Sequence, residues 1–256
     1  VSDALTGQVD IGMVSRPIRE EEIQLGSFYI AVTKDAVVAT VNSSNPVLDE
    51  IFSQGLSQTD LRKIFLRETT RWCEVVGEDC PPSQKDKIIV YGRSDASGAA
   101  KVWASFLGDL TQSELQDKAD ANFNGDQPLA HAVNREKNSI CFNNLNYVYN
   151  PTTGEFAGNI RPIPLDQNGN NVLEAKENFY MNRNTFVENV SAGNYPSPPA
   201  RLEYLLSKGP FTGRVKEFVS WILTEGQKYV EESGYVRLSE EKLSQEIDFL
   251  EKGIRE

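Results

Sequence analysis

Apolar and polar positions along the 256-residue chain fall into short blocks whose period switches between two and 3.6, the signature of strands alternating with helices. Ala4-Leu5-Thr6-Gly7 reads as the last turn of a helix closed by glycine, so something upstream of Val1 is expected to be missing. Residues 9–14 form a short strand, and Ser15-Arg16-Pro17 turns into an acidic helix start at Arg19-Glu20-Glu21-Glu22. Residues 28–32 and 36–41 are apolar and β-branched, predicting two strands, followed by the loop Asn42-Ser43-Ser44-Asn45-Pro46. A short helix over 60–65, a strand over 88–91 and a helix over 98–107 come next. Beyond them lie a helix over 126–135, a strand over 139–142 and a hairpin over 161–173 turning at Asn168-Gly169. The stretch Tyr195-Pro196-Ser197-Pro198-Pro199 marks a crossing or a boundary, with a strand over 202–206 behind it. The C-terminal part is helical over 213–223, 225–233 and 239–254. This alternation predicts the α/β class with mainly parallel sheets.

One block changes that picture from fold to chemistry. In residues 88–107, IIVYGRSDASGAAKVWASFL, Ala99, Val102, Trp103, Phe106 and Leu107 make one apolar helix face, which places Ser97 as N-cap and Gly98 and Ala99 in the first turn. A helix start presents amides without partners and a partial positive charge, together an anion site. Ser97 either donates its hydroxyl to an oxyanion or caps its own helix. Arg93 offers a planar fork for two oxygens, and Asp95 is placed to hold it. The turn follows the carboxyl end of a strand, where open α/β sheets bind ligands. The same spacing also fits a capped helix beside a surface ion pair between Arg93 and Asp95.

Composition narrows the field. Apolar content of 39% and charged content of 25% are those of a globular protein, and no apolar run reaches the length of a membrane helix. Val1-Ser2-Asp3 does not read as the start of a signal peptide, so the targeting segment of an exported protein would be expected to lie outside these residues. A net charge of −11 excludes a nucleic-acid partner, which needs a basic face. It is neutral toward a small buried anion, which responds to local dipoles. Cys73 and Cys80 enclose a polar loop leading to Pro81-Pro82, which a disulfide or two free thiols would satisfy. With a single histidine, zinc is not expected, and neither a metal nor a cofactor is assigned. Cys141 reads as a buried small hydrophobe. Asp120, Asn122, Asn124 and Gly125 open like a calcium loop, but His131 stands where its final glutamate belongs, so a turn is read. Asp166-Gln167-Asn168-Gly169 is likewise read as a hairpin turn. His131 is given a structural helical position, and Trp72, Trp103 and Trp221 are given core positions. Arg16 either touches ligand or pairs with Glu20 or Glu21.

The block GRSDASGAAKVW resembles the R-x-D-x-S-G-T segment of periplasmic phosphate-binding proteins of high-affinity phosphate ABC transporters. There the arginine, the serine and the following amides grip phosphate while the aspartate orients the arginine. The resemblance implies Arg93, Asp95, Ser97, Gly98 and Ala99 as ligand-binding residues, with Ala99 lacking the family's threonine hydroxyl. Residues 8–18, QVDIGMVSRPI, resemble the D-I-G-x-x-S-R-P segment and add Ser15 and Arg16. Some members carry an aspartate where Ser15 stands, which excludes sulfate, so selectivity is left open. Residues 41–47, 139–142 and 215–238 extend the likeness. It implies a two-lobed periplasmic-binding-protein-like fold lacking its first strand and helix. Lobe one would comprise 1–38 and 198–256, and lobe two 39–197. The expected function is a non-enzymatic, monomeric receptor, periplasmic or extracytoplasmic, with or without a lipid anchor. It would bind inorganic phosphate between the lobes and deliver it to a membrane permease. The family's opening strand, T-G-S-type loop and helix do not precede Val1, as expected of a fragment or of a shortened relative. Three alternatives are carried: a receptor for sulfate or molybdate, a degenerate interaction protein, and a phosphatase using Ser97. The last lacks both a G-x-S-x-G elbow and a cluster of metal ligands.

Overall fold

The computed structural model describes residues 1–78, 80 and 86–255. Its strands are β1 (Gly12–Val14), β2 (Ser27–Asn42), β3 (Ile89–Arg93), β4 (Ala121–Phe123), β5 (Ser139–Asn144), β6 (Ile160–Pro162) and β7 (Ala200–Lys208). The two strands expected at 28–32 and 36–41 are one, because nothing between them breaks an extended chain. Thr33, Lys34 and Asp35 are polar but include no glycine or proline, and Lys34 bridges to Val236.

Two compact units result, Val1–Asp35 with Ala200–Glu256, and Ala36–Pro199. The changeovers fall at 35/36 and 199/200, against the expected 38/39 and 197/198. In the first unit β1 and β7 pair antiparallel, Gly12 opposite Leu206 and Val14 opposite Tyr204. Phe28, Ile30, Leu205, Phe211, Val219, Leu223 and Leu250 form its core. The last three come from the helices Gly213–Leu223 and Glu240–Lys252, whose apolar stripes need a sheet face to cover. Ser239 caps the second helix by accepting from the Lys242 amide at 3.3 Å, and Gly253 closes it at φ +68°. Residues 225–229 form a 3-10 turn in place of the helix expected over 225–233. The buried Gln227 amide ties that turn to the Val32 and Ile222 carbonyls at 2.9 and 3.0 Å. Trp221 is not a core residue: it is 46% exposed, lying against Phe218 and Tyr229.

In the second unit β3 runs parallel to both β4 and β5, with Tyr91 opposite Ala121 and Ile89 opposite Ser139. β2 pairs antiparallel with β5 and β6, Ala39 opposite Phe142 and Val41 opposite Arg161. Pairing is therefore mixed, where mainly parallel sheets were expected. Parallel neighbours need a long crossover, usually helical. Only the segments flanking β4 supply one: Gly98–Phe106 and Gln112–Lys118 before it, and Asp126–Arg135 after it. The hairpin expected over 161–173 does not form. β6 stops at Pro162 and pairs with β2, and Pro164 two residues on cannot donate to a ladder. The core of this unit is aromatic. Trp103 is fully buried, stacked on Phe142 at 6.0 Å and meeting Phe65 edge-on at 5.6 Å. That packing fixes the helix Gly98–Phe106 to the sheet.

Cys73 and Cys80 are disulfide-bonded with Cα atoms 5.4 Å apart; Asp79 and the Pro81-Pro82 pair lie outside the described residues. Cys141 is buried, and burial pushes its thiol up to about 12. Among the described residues no helix is long and apolar enough to cross a membrane.

Candidate anion-binding site

The turn between β3 and the following helix is built as a strand end, a cap and a first helical turn. Ser97, in extended conformation at φ −120° and ψ 126°, caps Gly98–Phe106 by accepting from the Ala100 amide at 3.1 Å. The first intrahelical bond runs from the Lys101 amide to the Ser97 carbonyl at 3.1 Å. The Gly98 and Ala99 amides lie ahead of it and have no intrahelical acceptor. The Ser97 hydroxyl retains its proton for donation, since capping uses a lone pair. Gly98 carries no Cβ to hold a ligand off the backbone.

Arg93, 5% exposed, ends β3 behind this turn. Its Nε and Nη2 donate to the two Asp95 oxygens at 2.8 and 2.7 Å. Nη1 donates to Asp126. Of the five guanidinium N–H groups three are thereby satisfied, leaving one on each terminal nitrogen without an acceptor among the described residues. Burial works against the charge on Arg93, but the hydrogen bond to Asp95 and the fields of Asp126 and Asp95 outweigh it and raise its pKa. The bond from Arg93 in turn holds the Asp95 carboxyl far below the ordinary carboxylate range, and the Gly125 amide adds to this at 3.0 Å.

The backbone of the turn is pinned from the helix Gln112–Lys118. Gln112 donates to the Asp95 carbonyl at 2.5 Å and accepts from the Ser97 amide at 3.2 Å. Gln116 donates to the Arg93 carbonyl at 2.6 Å. The sequence assigns neither these two glutamines nor Gly125 and Asp126 to the site. The i, i+4 spacing of Gln112 and Gln116 behind the Thr111 cap was the available signal, but their partners lie 17 and 23 residues back.

Arg93, Asp95, Ser97, Gly98 and Ala99 thus converge in the second unit. Ser15 and Arg16 belong to the first. The Arg16 guanidinium embraces Glu22 at 2.9 and 2.6 Å, and not Glu20 or Glu21. The Ser15 hydroxyl bonds the Glu203 carboxyl, which burial raises despite Arg201 beside it. Asp120 accepts from Arg67 and from the Val90 amide, so its carboxylate braces β3. His131 is exposed on the helix Asp126–Arg135.

Comparison with known proteins gives a consistent result. A model described as a PBP superfamily domain matches residues 1–225. Protein SphX of Synechococcus elongatus is 28% identical over 252 residues, covering 91% of this chain and 64% of its own length. Phosphate-binding protein PstS of Staphylococcus haemolyticus is 25% identical over 262 residues, covering 97% and 72%. The chain therefore spans about two thirds of these curated relatives. Among solved structures, a putative phosphate ABC transporter substrate-binding protein with bound phosphate from Clostridium perfringens superposes with a TM-score of 0.67. It is 22% identical, with 93% of this chain and 83% of that one covered. An ABC-type phosphate transport receptor from Vibrio cholerae gives 0.64 at 20% identity, covering 92% and 82%.

Proposed function

The chain belongs to the PBP superfamily, and from that premise we propose that it is the phosphate-binding receptor of an ABC transporter. It works outside the cytoplasm as a monomer and hands inorganic phosphate to a membrane permease without making or breaking a bond. One observation carries the reading. A buried arginine ends the strand, locked in orientation by Asp95 and with one N–H on each terminal nitrogen lacking an acceptor among the described residues, and the next helix opens with the Gly98 and Ala99 amides and the Ser97 hydroxyl. A tetrahedral oxyanion has the oxygens to take all of them. Charge-assisted bonds of this kind are stronger than neutral ones, and the helix start adds its dipole. The relatives SphX and PstS, and the phosphate-bound structural neighbour, support phosphate as the oxyanion.

Titration calorimetry with inorganic phosphate tests the proposal, with sulfate and molybdate as competitors. A single saturable phosphate site is expected. Arg93→Ala should weaken it by about 2–4 kcal/mol, the worth of one or two hydrogen bonds to a charged group. Unchanged affinity in that variant removes Arg93 from the site. Tighter binding of sulfate or molybdate than of phosphate would replace phosphate as the ligand.

A further inference from the structure

The loop that stands where a hairpin was expected carries a pattern the anion site does not use. Residues 166–177 read DQNGNNVLEAKE. Taken as a twelve-position run, oxygen-bearing side chains fall at positions 1, 3, 5, 9 and 12: Asp166, Asn168, Asn170, Glu174 and Glu177. The Val172 carbonyl falls at position 7. That is the ligand order of the calcium loop found between the helices of EF-hands, D-x-[DN]-x-[DN]-G-x5-E. The glycine of position 6 is replaced by Asn171, which adopts φ +59°. Asparagine is one of the few residues that tolerate that left-handed conformation.

The chain is wrapped around position 1. Asp166 Oδ1 accepts from the Gly169 amide at 2.8 Å, and Oδ2 from the Asn171 amide at 2.7 Å. Position 12 returns to the start of the run, since Glu177 Oε1 accepts from the Gln167 amide at 3.0 Å.

A second, separate observation is electrostatic. Asp166 and Glu177 are 2% and 1% exposed, and neither forms an ion pair among the described residues. The cation within the run, Lys176, is bound to Glu174 at 2.8 Å and acts on Glu177 only at a distance. Two buried carboxylates in one loop, held by amide dipoles alone, are a costly arrangement unless a cation shares them. The asparagine side chains and Glu174 around them are at or near the surface, so the loop is open to an ion from solvent. The run at 120–131 offers neither feature: Asp120 is bonded to Arg67 and position 12 is His131.

We propose that residues 166–177 form a calcium-binding loop. Its ligands are Asp166, Asn168, Asn170, the Val172 carbonyl and Glu177, with Glu174 direct or through water. The oxygen-only, partly neutral ligand set suits calcium, whereas magnesium binds reluctantly without its own waters. The Leu173 amide donates to the Ser53 carbonyl at 3.2 Å, so a bound ion would fasten this loop to the helix Leu48–Gln54.

The experiment is a CaCl2 titration of the full chain in phosphate-free buffer, by calorimetry and thermal melting, with MgCl2 in parallel. Saturable one-to-one binding and a calcium-dependent rise in Tm are expected, with a smaller effect of magnesium. Glu177→Gln should weaken calcium at least tenfold. Asn170→Ala, which loses only exposed side-chain bonds to the Val172 amide and Glu174, should do the same with a smaller loss of calcium-free Tm than Glu177→Gln. No calcium heat up to roughly 10 mM, about tenfold above the weakest extracellular modules, overturns the proposal. Equal binding by both variants overturns it as well. Neither outcome bears on phosphate binding at Arg93, which is titrated separately.

Discussion

At Ser97 the oxygen accepts from the Ala100 amide, so the choice between capping a helix and meeting a ligand is not a choice at all. A hydroxyl has lone pairs for one role and a proton for the other. Ser97→Gly separates them, because glycine at an N-cap costs only a few tenths of a kcal/mol but has no proton to give. Urea unfolding should show a loss of about that size. Phosphate affinity should fall roughly tenfold or more, as for a bond to a charged partner; an affinity equal to wild type would reduce Ser97 to a cap. The Arg93–Asp95 fork was legible because its members are two residues apart. Asp126, 33 residues beyond Arg93, was not, since only the packing of the helix Asp126–Arg135 beside β3 brings it there.

The short helix Glu20–Gln24 shows how an element chooses among equivalent side chains. Three consecutive glutamates follow Arg19, and Arg16 was expected either to touch ligand or to pair with the first or second. Glu22 wins because it is third in the helix, where its carboxylate folds back to the Arg19 amide at 2.9 Å and so faces Arg16. The Arg16 hydrogen bond, against the effect of burial, lowers the Glu22 carboxyl from 4.5 to about 2. A depressed carboxyl pKa stabilises the fold above the unfolded value and loses that effect as pH falls through the folded one. Wild type should therefore exceed Glu22→Gln in unfolding free energy above about pH 4.5, and the gap should shrink toward pH 2. A gap independent of pH would disconnect this pair from stability. The loop 166–177 makes the complementary point. Asn168-Gly169 is a sound hairpin signal, but a hairpin also needs two strands, and Pro164, two residues past the end of β6, removes one of them.

For the whole molecule, the charged group nearest the two changeover points is a buried one. Arg201 lies one residue past Ala200 in β7 and bonds Asp35 at 2.9 Å, the last residue of the first stretch of its unit. Glu203 approaches from the same strand at 2.9 Å, and the Arg201 Nη1 is buried without a hydrogen-bond partner. Arg201→Met should destabilise the protein by about 1–3 kcal/mol in urea, because it removes the guanidinium that bonds the buried Asp35 carboxylate. A loss below 1 kcal/mol would mean that water already solvates that carboxylate. The sequence by itself determined the alternation of strands and helices and the strand–cap–helix turn at Arg93 to Ala99. Each of these is encoded within a few consecutive residues, by side-chain period or by cap chemistry. The tertiary structure decided the mixed pairing of the sheets, the second carboxylate partner of Arg93 and the burial of Asp166 and Glu177. Those depend on which distant segments share one low-dielectric interior, and no local pattern specifies that.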